Sequence, residues 1–399
     1  MKKGWEYKKL KDVAKFTRGL TYSKNDEAEI SNNIVLRSNN VDLLTGKLNF
    51  DELKYLRSEF AIPKDKIVRK GSLLMCMSNG SKIHLGKVAL IDKEYPYAFG
   101  GFMALVTPND ELNPQFFYYS LSSPEYKDFI KKLSAGANIN NIKVKELELF
   151  SIPVPPLSEQ QAIVSYLDAA FAKIDAMKAN AEKALSEAKA LFQASLKDLL
   201  TPKKGWGEKN LGEVATDMFR GSGVKREQVT EHGTPCVRYG EIYTKYNYHF
   251  DDCYSHTLAE YVSSPKYFEY GNILFAITGE SVEEIGKSIA YTGNEKCIAG
   301  GDIVVMKHNQ EPRYISYALS TPSAIKQKGH GKTKLKVVHT NIPSLKEIII
   351  PIAPMNEQVK IADTLDSLKS KVDRLQANYE KISAECDALK QAILRQVFE

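Results

Sequence analysis

The stretches LSEQQAIVSYLD at residues 157–168 and MNEQVKIADTLD at residues 355–366 decide the fold of this 399-residue chain. They share Glu-Gln and Leu-Asp at the same internal spacing, half a chain apart. Each follows an apolar run that contains prolines, FSIPVPP at 150–156 and IIPIAP at 349–354. Two such matches in the same order predict an internal repeat.

The repeat extends well beyond these two stretches. GWEYKKLKDVA at 4–14 returns as GWGEKNLGEVA at 205–215, and an Arg-Gly pair follows each copy, Arg18-Gly19 and Arg220-Gly221. KGSLLMCMSNGSKIHLGKVAL at 70–90 returns as YGNILFAITGESVEEIGKSIA at 270–290, and Gly100-Gly101 returns as Gly300-Gly301. The nearly constant offset predicts a tandem duplication, in which two globular halves are each followed by a similar long segment.

Each globular half contains short apolar runs that are bounded by Gly, Asn, Asp or Ser, which is typical of buried strands. Examples are LLMCMS at 73–78 and ILFAIT at 273–278. FFYYSLSS at 116–123 and RYISYALST at 313–321 are predicted to be short helices. Each half is therefore predicted to be an α+β domain of roughly 150 residues.

The segments after the proline runs, 158–200 and 356–399, contain neither Gly nor Pro. Between Ile361 and Ile393, apolar residues recur at alternating steps of four and three, which is typical of a coiled-coil seam. The same seam runs from Ile163 to Ser195 with smaller residues in its second half. Each segment is predicted to be a helix of roughly 60 Å, with Ser158 or Asn356 as its N-cap.

A helix of that length needs a matching helix to cover its apolar stripe, and the duplication supplies one. The predicted fold class is therefore α+β, with two similar globular domains separated by two long antiparallel coiled-coil helices and an internal pseudo-two-fold symmetry. The predicted globular domains span residues 1–157 and 201–355, and the helices span 158–200 and 356–399.

Three further apolar residues, Leu185, Phe192 and Leu196, lie beside the predicted seam of the first helix. One interpretation is a wider stripe that is buried on a globular half. The other interpretation, which gives these residues a partner-binding role, is a second face that docks helices of another protein.

Composition and charge narrow the classes of function. The net charge of +6 is compatible with a polyanionic partner and equally with an ordinary soluble protein. No stretch approaches the roughly 20 apolar residues of a membrane span, and the N-terminus lacks the apolar run of a signal peptide, so a cytoplasmic location is expected. The five cysteines are scattered without a C-x-x-C pair, which predicts neither disulfides nor a metal site.

The order of these features resembles the specificity subunit of type I restriction–modification enzymes. The resemblance covers essentially the whole chain and is carried by IPVPPLSEQ at 152–160, IPIAPMNEQ at 350–358, the two seams, and the Trp5–Leu10 and Trp206–Leu211 starts. It implies that each globular half is a target recognition domain for one part of an asymmetric, bipartite double-stranded DNA sequence. It also implies that the helices set the spacing and dock two modification (methyltransferase) subunits, which restriction (translocase and endonuclease) subunits then join.

The same resemblance implies a non-catalytic subunit that binds no cofactor itself. S-adenosylmethionine, ATP and Mg are expected on the partner subunits. The residues agree, because no [DN]-PP-[YF] methyltransferase loop occurs, and HGKT at 330–333 lacks the glycine spacing of a phosphate-binding loop.

Candidate DNA contacts are polar and cationic residues on predicted loops, since these side chains hydrogen-bond bases and phosphates. In the first half they are Arg37, Asn39, Asn40, Ser78, Asn79, Ser81, Lys82, His84, Asn138, Asn140, Asn141 and Lys143. In the second half they are Arg238, Tyr239, Thr278, Glu280, Lys332, Lys334, Lys336, His339 and Asn341.

Comparing the two copies of the repeat indicates which of these residues are better candidates for base contacts. Halves that read different sequences should differ at base contacts and agree at structural or phosphate-binding positions. Arg37 and Arg238 are equivalent, which argues against base reading by either. Glu280 stands in an acidic loop that either points away from DNA or accepts a hydrogen bond from a cytosine amino group.

Three alternatives remain open from the sequence. The first is a similar subunit of a restriction system outside type I, in which one partner chain both methylates and cleaves. The second is a coiled-coil scaffold whose globular halves bind proteins. The third is a self-sufficient methyltransferase.

Overall fold

The computed structural model describes residues 5–43, 45–135, 141–282, 284–330 and 338–398. The chain forms two compact units. Unit 1 consists of Met1–Ala181 and Tyr379–Glu399, and unit 2 consists of Glu182–Asn378. Each unit combines one globular half with parts of both long helices, so the predicted α+β class, the duplication and the long helices are confirmed.

The strands of unit 1 are β1 Glu6–Lys9, β2 Ala14–Arg18, β3 Glu27–Ala28, β4 Asn33–Leu36, β5 Lys54–Leu56, β6 Leu73–Cys76, β7 Val88–Leu90, β8 Ala98–Phe99, β9 Met103–Pro108 and β10 Ser151–Val154. Its shorter α-helices are α1 Leu10–Val13, α2 Pro114–Ser120, α3 Pro124–Ala135 and α4 Val144–Leu147. The first long helix is α5 Leu157–Leu199.

The strands of unit 2 are β11 Gly207–Asn210, β12 Ala215–Arg220, β13 Val229–Thr230, β14 Thr234–Val237, β15 His249–Phe250, β16 Ser255–Thr257, β17 Tyr267–Phe268, β18 Ile273–Ala276, β19 Thr278–Gly279, β20 Ser288–Tyr291, β21 Cys297–Ala299, β22 Ile303–His308, β23 Val338–His339 and β24 Ile349–Ile352. Its shorter α-helices are α6 Leu211–Val214, α7 Tyr239–Thr244, α8 Pro312–Ala318, α9 Pro322–Gly329 and α10 Ile342–Lys346. The second long helix is α11 Met355–Phe398.

Each unit is built on two sheets with matching strand order. In unit 1 the orders are β2-β9-β6-β7 and β3-β5-β4-β8, where β4 and β8 are parallel. In unit 2 the equivalent orders are β12-β22-β18-β20 and β13-β16-β14-β21, and the edge strands β15 and β17 extend them. The central strands β6 and β18 are buried at every position, which explains why they appear in the sequence as continuous apolar runs.

The repeated Glu-Gln and Leu-Asp pairs fasten each long helix to a globular half. In unit 1, the Trp5 indole Nε1 donates to Glu159 (2.9 Å). The Gln160 side chain is buried; it donates to two carbonyls and accepts a hydrogen bond from the Asn113 backbone N–H (2.8 Å). Asp168 accepts a hydrogen bond from the Tyr119 hydroxyl on α2.

Unit 2 repeats this arrangement. Trp206 Nε1 donates to Glu357 (3.0 Å), the buried Gln358 accepts from the Glu311 N–H (3.0 Å), and Asp366 accepts from the Tyr317 hydroxyl (2.6 Å). His249 also hydrogen-bonds Asp366. Burial raises the pKa of the Asp366 carboxyl, but hydrogen bonds from His249 and Tyr317 outweigh it and lower that pKa to about 2.

The helices begin one residue before the predicted caps. α5 starts at Leu157 and α11 at Met355, directly after Pro156 and Pro354, so Ser158 and Asn356 lie inside the first turn. In each unit the two helices run antiparallel. In unit 1, Asp175 pairs with Lys390, and three residues further along α5, Lys178 pairs with Asp387. In unit 2, Lys189 of α5 hydrogen-bonds Gln376 of α11.

The seam differs from the predicted one after Ile174. Ile174, Leu185 and Leu196 are buried, whereas Met177 and Leu191, which the strict heptad places on the seam, are exposed. The buried residues recur every eleven positions, because a straight α-helix drifts out of a seven-residue repeat. Cys386 and Val397 of α11 are buried at the same spacing, and Leu389 is exposed.

This shift makes the partner-binding prediction for Leu185, Phe192 and Leu196 wrong. All three side chains are buried, and Phe192 and Leu196 belong to the main core of unit 2. Phe192 and Leu196 cover that globular half, and none of the three side chains offers an exposed surface to another protein. Unit 1 has the equivalent arrangement, in which Leu394 and Phe398 from the end of α11 enter its main core.

Within the described ranges, no helix combines the length and apolar character that crossing a membrane requires.

Candidate nucleic-acid interface

The repeated glycine pairs form a tight turn that leads into β9 in unit 1 and into β22 in unit 2. In unit 1, Gly19 N–H donates to the Met103 carbonyl (3.0 Å), and an added Cβ on Gly19 would lie 2.0 Å from the Gly100 carbonyl oxygen. In unit 2, a Cβ on Gly221 would lie 2.2 Å from the Gly300 carbonyl oxygen. The Arg-Gly pairs are therefore repeated because only glycine allows this close backbone approach.

In unit 1, backbone hydrogen bonds to this turn bring loops that are separate in the sequence into one region. Gly100 N–H donates to the Leu36 carbonyl (2.9 Å), which brings the Arg37 loop to the turn. Met77 and Ser78 N–H groups both donate to the Phe102 carbonyl (2.9 and 3.1 Å). Ser78 also forms a β-bridge with Asn141. Three stretches that are far apart in sequence thus meet at one edge of the unit.

Unit 2 gathers its loops in the same way. Gly300 N–H donates to the Val237 carbonyl (2.8 Å), next to Arg238. Ile277 N–H donates to the Asp302 carbonyl (3.0 Å). Thr278 pairs with His339 in the short β19–β23 ribbon, where the Thr278 hydroxyl and His339 Nδ1 are 3.1 Å apart.

Two predicted amides turn out to serve the framework. Asn40 is buried; its side chain donates to the carbonyls of Asn49 and Glu52 (both 2.9 Å) and accepts from the Arg37 N–H (2.8 Å). Asn341 accepts from the Ser344 N–H (2.9 Å) and caps α10. Because these groups are occupied by the protein itself, neither residue remains a good candidate for DNA contact.

The loop after β6 displays three further candidates. Ser81 and Lys82 are exposed, and Asn79 is half-buried with its amide nitrogen on the Ser38 hydroxyl (2.8 Å). Burial and the nearby cation of Lys87 lower the pKa of His84. These two effects favour the neutral imidazole of His84 in the free protein.

The remaining candidates lie in several environments. The Asn39 amide donates to Glu52, Lys143 stands 3.9 Å from Glu146, and Tyr239 and Glu280 are exposed. Asn138, Asn140, Lys332, Lys334 and Lys336 lie outside the described residues.

The prediction missed four residues at this surface: Arg18 and Phe102 in unit 1, and the equivalent Arg220 and Asp302 in unit 2. The sequence signal was present in the repeated Arg-Gly and Gly-Gly pairs. It marked these stretches as framework but did not show that Arg220 and Asp302 form an ion pair in unit 2.

The arginines of unit 2 are each paired with an acid. Arg220 Nη2 stands 2.6 Å from Asp302, and Arg238 Nη2 stands 2.9 Å from the buried Glu241. Arg220, Arg238 and Asp302 line an open cavity of about 270 Å³ together with Lys225. The cavity is wide enough to admit part of a nucleotide but presents mostly neutralised cations.

Substituting Gly19 by alanine is expected to destabilise unit 1 by about 1–3 kcal/mol, because the new methyl group overlaps backbone atoms that cannot move independently. Hydrogen exchange of β2 and β9 measures the change. Gly80→Ala is the matched control, since nothing lies within 4 Å of its added Cβ. Equal effects of the two substitutions would contradict the close-approach explanation.

The surface therefore offers hydroxyls, amides and cations on a rigid frame, which suits recognition of nucleic acid. No cluster of three or more potential metal-binding side chains occurs in the part of the chain that the structure describes.

Comparison with known proteins identifies the same repeat. Residues 2–186 and 203–384 each match the family model of the type I restriction modification DNA specificity domain. The type I restriction enzyme StySPI specificity subunit of Salmonella potsdam is 25% identical, over 99% of this chain and 88% of that subunit. The EcoKI specificity subunit of Escherichia coli K12 is also 25% identical, with the same shares covered.

Solved structures share the fold. A structure described under complex assembly and conformational transition of the type I R-M system superposes with a TM-score of 0.73 at 20% identity, covering 100% of this chain and 98% of that one. The HsdS subunit of Thermoanaerobacter tengcongensis gives a TM-score of 0.56 at 20% identity, covering 100% and 97%.

Proposed function

Because the chain belongs to the type I restriction modification DNA specificity family, we propose that its two units each read one part of an asymmetric, bipartite DNA target for a type I restriction–modification complex. The observation that carries the proposal is that the two units share a backbone arrangement but differ in the side chains of the loops on it. Both units gather the same loops around a Gly-Gly turn, yet the side chains displayed there differ, as Ser78 and Asn141 against Thr278 and His339 illustrate.

The chain directs chemistry that its partners perform. We assign methylation to two modification subunits carrying S-adenosylmethionine, and translocation and cleavage to restriction subunits that use ATP and Mg, all in the cytoplasm. The chain's own role is to bind DNA and to hold the partners on it.

The partner surface on the helices is proposed at exposed apolar positions. Leu157 and Leu389 of unit 1 are 52% and 48% exposed, and their repeat equivalents in unit 2, Met355 and Leu191, are 48% and 60% exposed. Apolar side chains left in solvent at both copies of a repeat favour two identical partners, one for each unit.

Methylation mapping tests the proposal. Host DNA exposed to this chain and its modification partner should carry one split motif with two unlike parts and unread bases between them. A symmetric motif, or an uninterrupted one, would contradict it. Methyl transfer by the isolated chain would instead indicate a self-sufficient enzyme.

The spacing role of the helices is tested by length. Seven residues added to both α5 and α11 lengthen each by roughly 10 Å, so the gap in the motif should grow by about three base pairs, at 3.4 Å per pair. Both parts of the motif should keep their sequence. An unchanged gap would show that the helices do not set the spacing.

A further inference from the structure

The two units differ in how their equivalent arginines are compensated. In unit 2, Asp302 and Glu241 neutralise Arg220 and Arg238. In unit 1, Phe102 stands where unit 2 has Asp302, and Asn40 stands where it has Glu241. Both replacements remove an acid from the same surface.

The arginines of unit 1 consequently lack the acidic partners that their equivalents have in unit 2. Among the residues that the structure describes, no acidic side chain forms an ion pair with Arg18 or Arg37. Arg18 is exposed at the end of β2. Arg37 is half-buried, and its Nε has no hydrogen-bond partner in the described part of the chain.

Both side chains flank the same turn. Arg18 precedes Gly19, whose backbone packs against Gly100, and an added Cβ on Gly100 would lie 3.9 Å from Cγ of Arg37. The turn is fixed by backbone hydrogen bonds, so the backbone positions from which the two arginines extend are held beside the same turn.

We propose that Arg18 and Arg37 form a phosphate-binding site for the DNA backbone, and that unit 2 has no counterpart because Asp302 and Glu241 neutralise the equivalent arginines. Arginine binds phosphate with two parallel N–H donors, and the strength of that contact depends on its net charge. The inference rests on the proposed function. It adds that this two-arginine contact with the DNA backbone belongs to unit 1 and is absent from unit 2.

Salt titration of DNA binding, with the full chain assembled with its modification subunits, measures the number of phosphate contacts. Each contact contributes about 0.9 to the slope of log K against log salt. Arg18→Ala and Arg37→Ala should each lower that slope by about 0.9 and leave the methylated motif unchanged, because phosphates carry no sequence information. Arg18→Lys and Arg37→Lys keep the charge and should keep the slope.

Two further variants use the difference between the units. Phe102→Asp places in unit 1 the acid that unit 2 carries and should lower the slope as Arg18→Ala does. The double variant Arg220→Ala/Asp302→Ala removes a neutral pair and should leave the slope unchanged.

An unchanged slope in both alanine variants of unit 1 would overturn the inference, and so would a relaxed base preference, which indicates base reading. Failure of the proposed function has a different signature: the unsubstituted complex would then bind its mapped target no more tightly than unrelated DNA.

Discussion

The double substitution Lys328→Ile/Ser288→Val is expected to stabilise unit 2 by about 2–4 kcal/mol at neutral pH. Lys328 on α9 is buried, and its amine has the Ser288 hydroxyl (3.1 Å) as hydrogen-bond partner. Unit 1 carries Ile130 and Val88 at the equivalent positions, and both are buried in its main core. The substitution therefore gives unit 2 a pair of side chains that the same fold already accommodates.

The cost of Lys328 arises from burial of its charge. Burial lowers the pKa of this amine from 10.5 to about 7. Below pH 7 the lysine is protonated in both the folded and the unfolded state, so the full penalty is present. Between pH 7 and 10.5 the unfolded state binds more protons than the folded state, and the stability of the unsubstituted protein rises with pH.

The advantage of the double variant should therefore be largest below pH 7 and should shrink as the pH approaches 10.5. Hydrogen exchange resolved to β18 and β20, followed across this range, measures it. Lys326→Ile on the exposed side of α9 is the control and should change stability by less than about 0.5 kcal/mol. A pH-independent gain would show that the pKa of Lys328 is the same in the folded and unfolded states, so that burial does not penalise its charge.

Replacing Phe398 by alanine is expected to destabilise unit 1 by about 3–5 kcal/mol, as is typical when a buried aromatic side chain is removed. Phe398 is buried in the core of unit 1, where its ring lies 5.4 Å from that of Phe116 on α2. Its repeat equivalent, Leu200, is buried in the core of unit 2. Leu200→Ala should accordingly destabilise unit 2 by about 2–5 kcal/mol.

The test is whether each substitution destabilises only the unit whose core contains the substituted residue. Phe398→Ala should raise hydrogen exchange in β6 and β9 of unit 1 and leave β18 and β22 of unit 2 protected, and Leu200→Ala should do the reverse. Leu389→Ala, at an exposed position of the same helix, should change neither unit appreciably. Loss of protection next to the substituted helix alone would contradict the assignment of these residues to the cores.

The repeat could be predicted from the sequence because it rests on local signals. Helix-breaking prolines before Leu157 and Met355, apolar runs at β6 and β18, and the Glu-Gln pairs are all visible without coordinates. The exact seam could not be predicted, because a seven-residue and an eleven-residue repeat coincide over the three turns from Ile163 to Ile174 and separate only after Ile174.

The candidate site was predicted less completely. Loops rich in Asn, Ser and Lys could be identified as polar. However, some of their side chains are exposed to solvent, whereas others hydrogen-bond to the backbone of the protein itself. Asn40 and Lys82 look alike in sequence, and only the packing around Asn40 shows that its amide is occupied. Arg18 was not among the candidates because its lack of an acidic partner depends on Phe102, a residue far away in the chain that replaces the acid of unit 2.

The passage of α11 into the core of unit 1 has a consequence for synthesis on the ribosome. Unit 2 lies wholly within Glu182–Asn378, whereas unit 1 needs the later residues Tyr379–Glu399. The unit that is begun second therefore completes its core first. At 5–20 residues per second, the apolar pocket around Phe116 waits roughly 10–40 s for Phe398, and during that time it is the part of the nascent chain most in need of a chaperone.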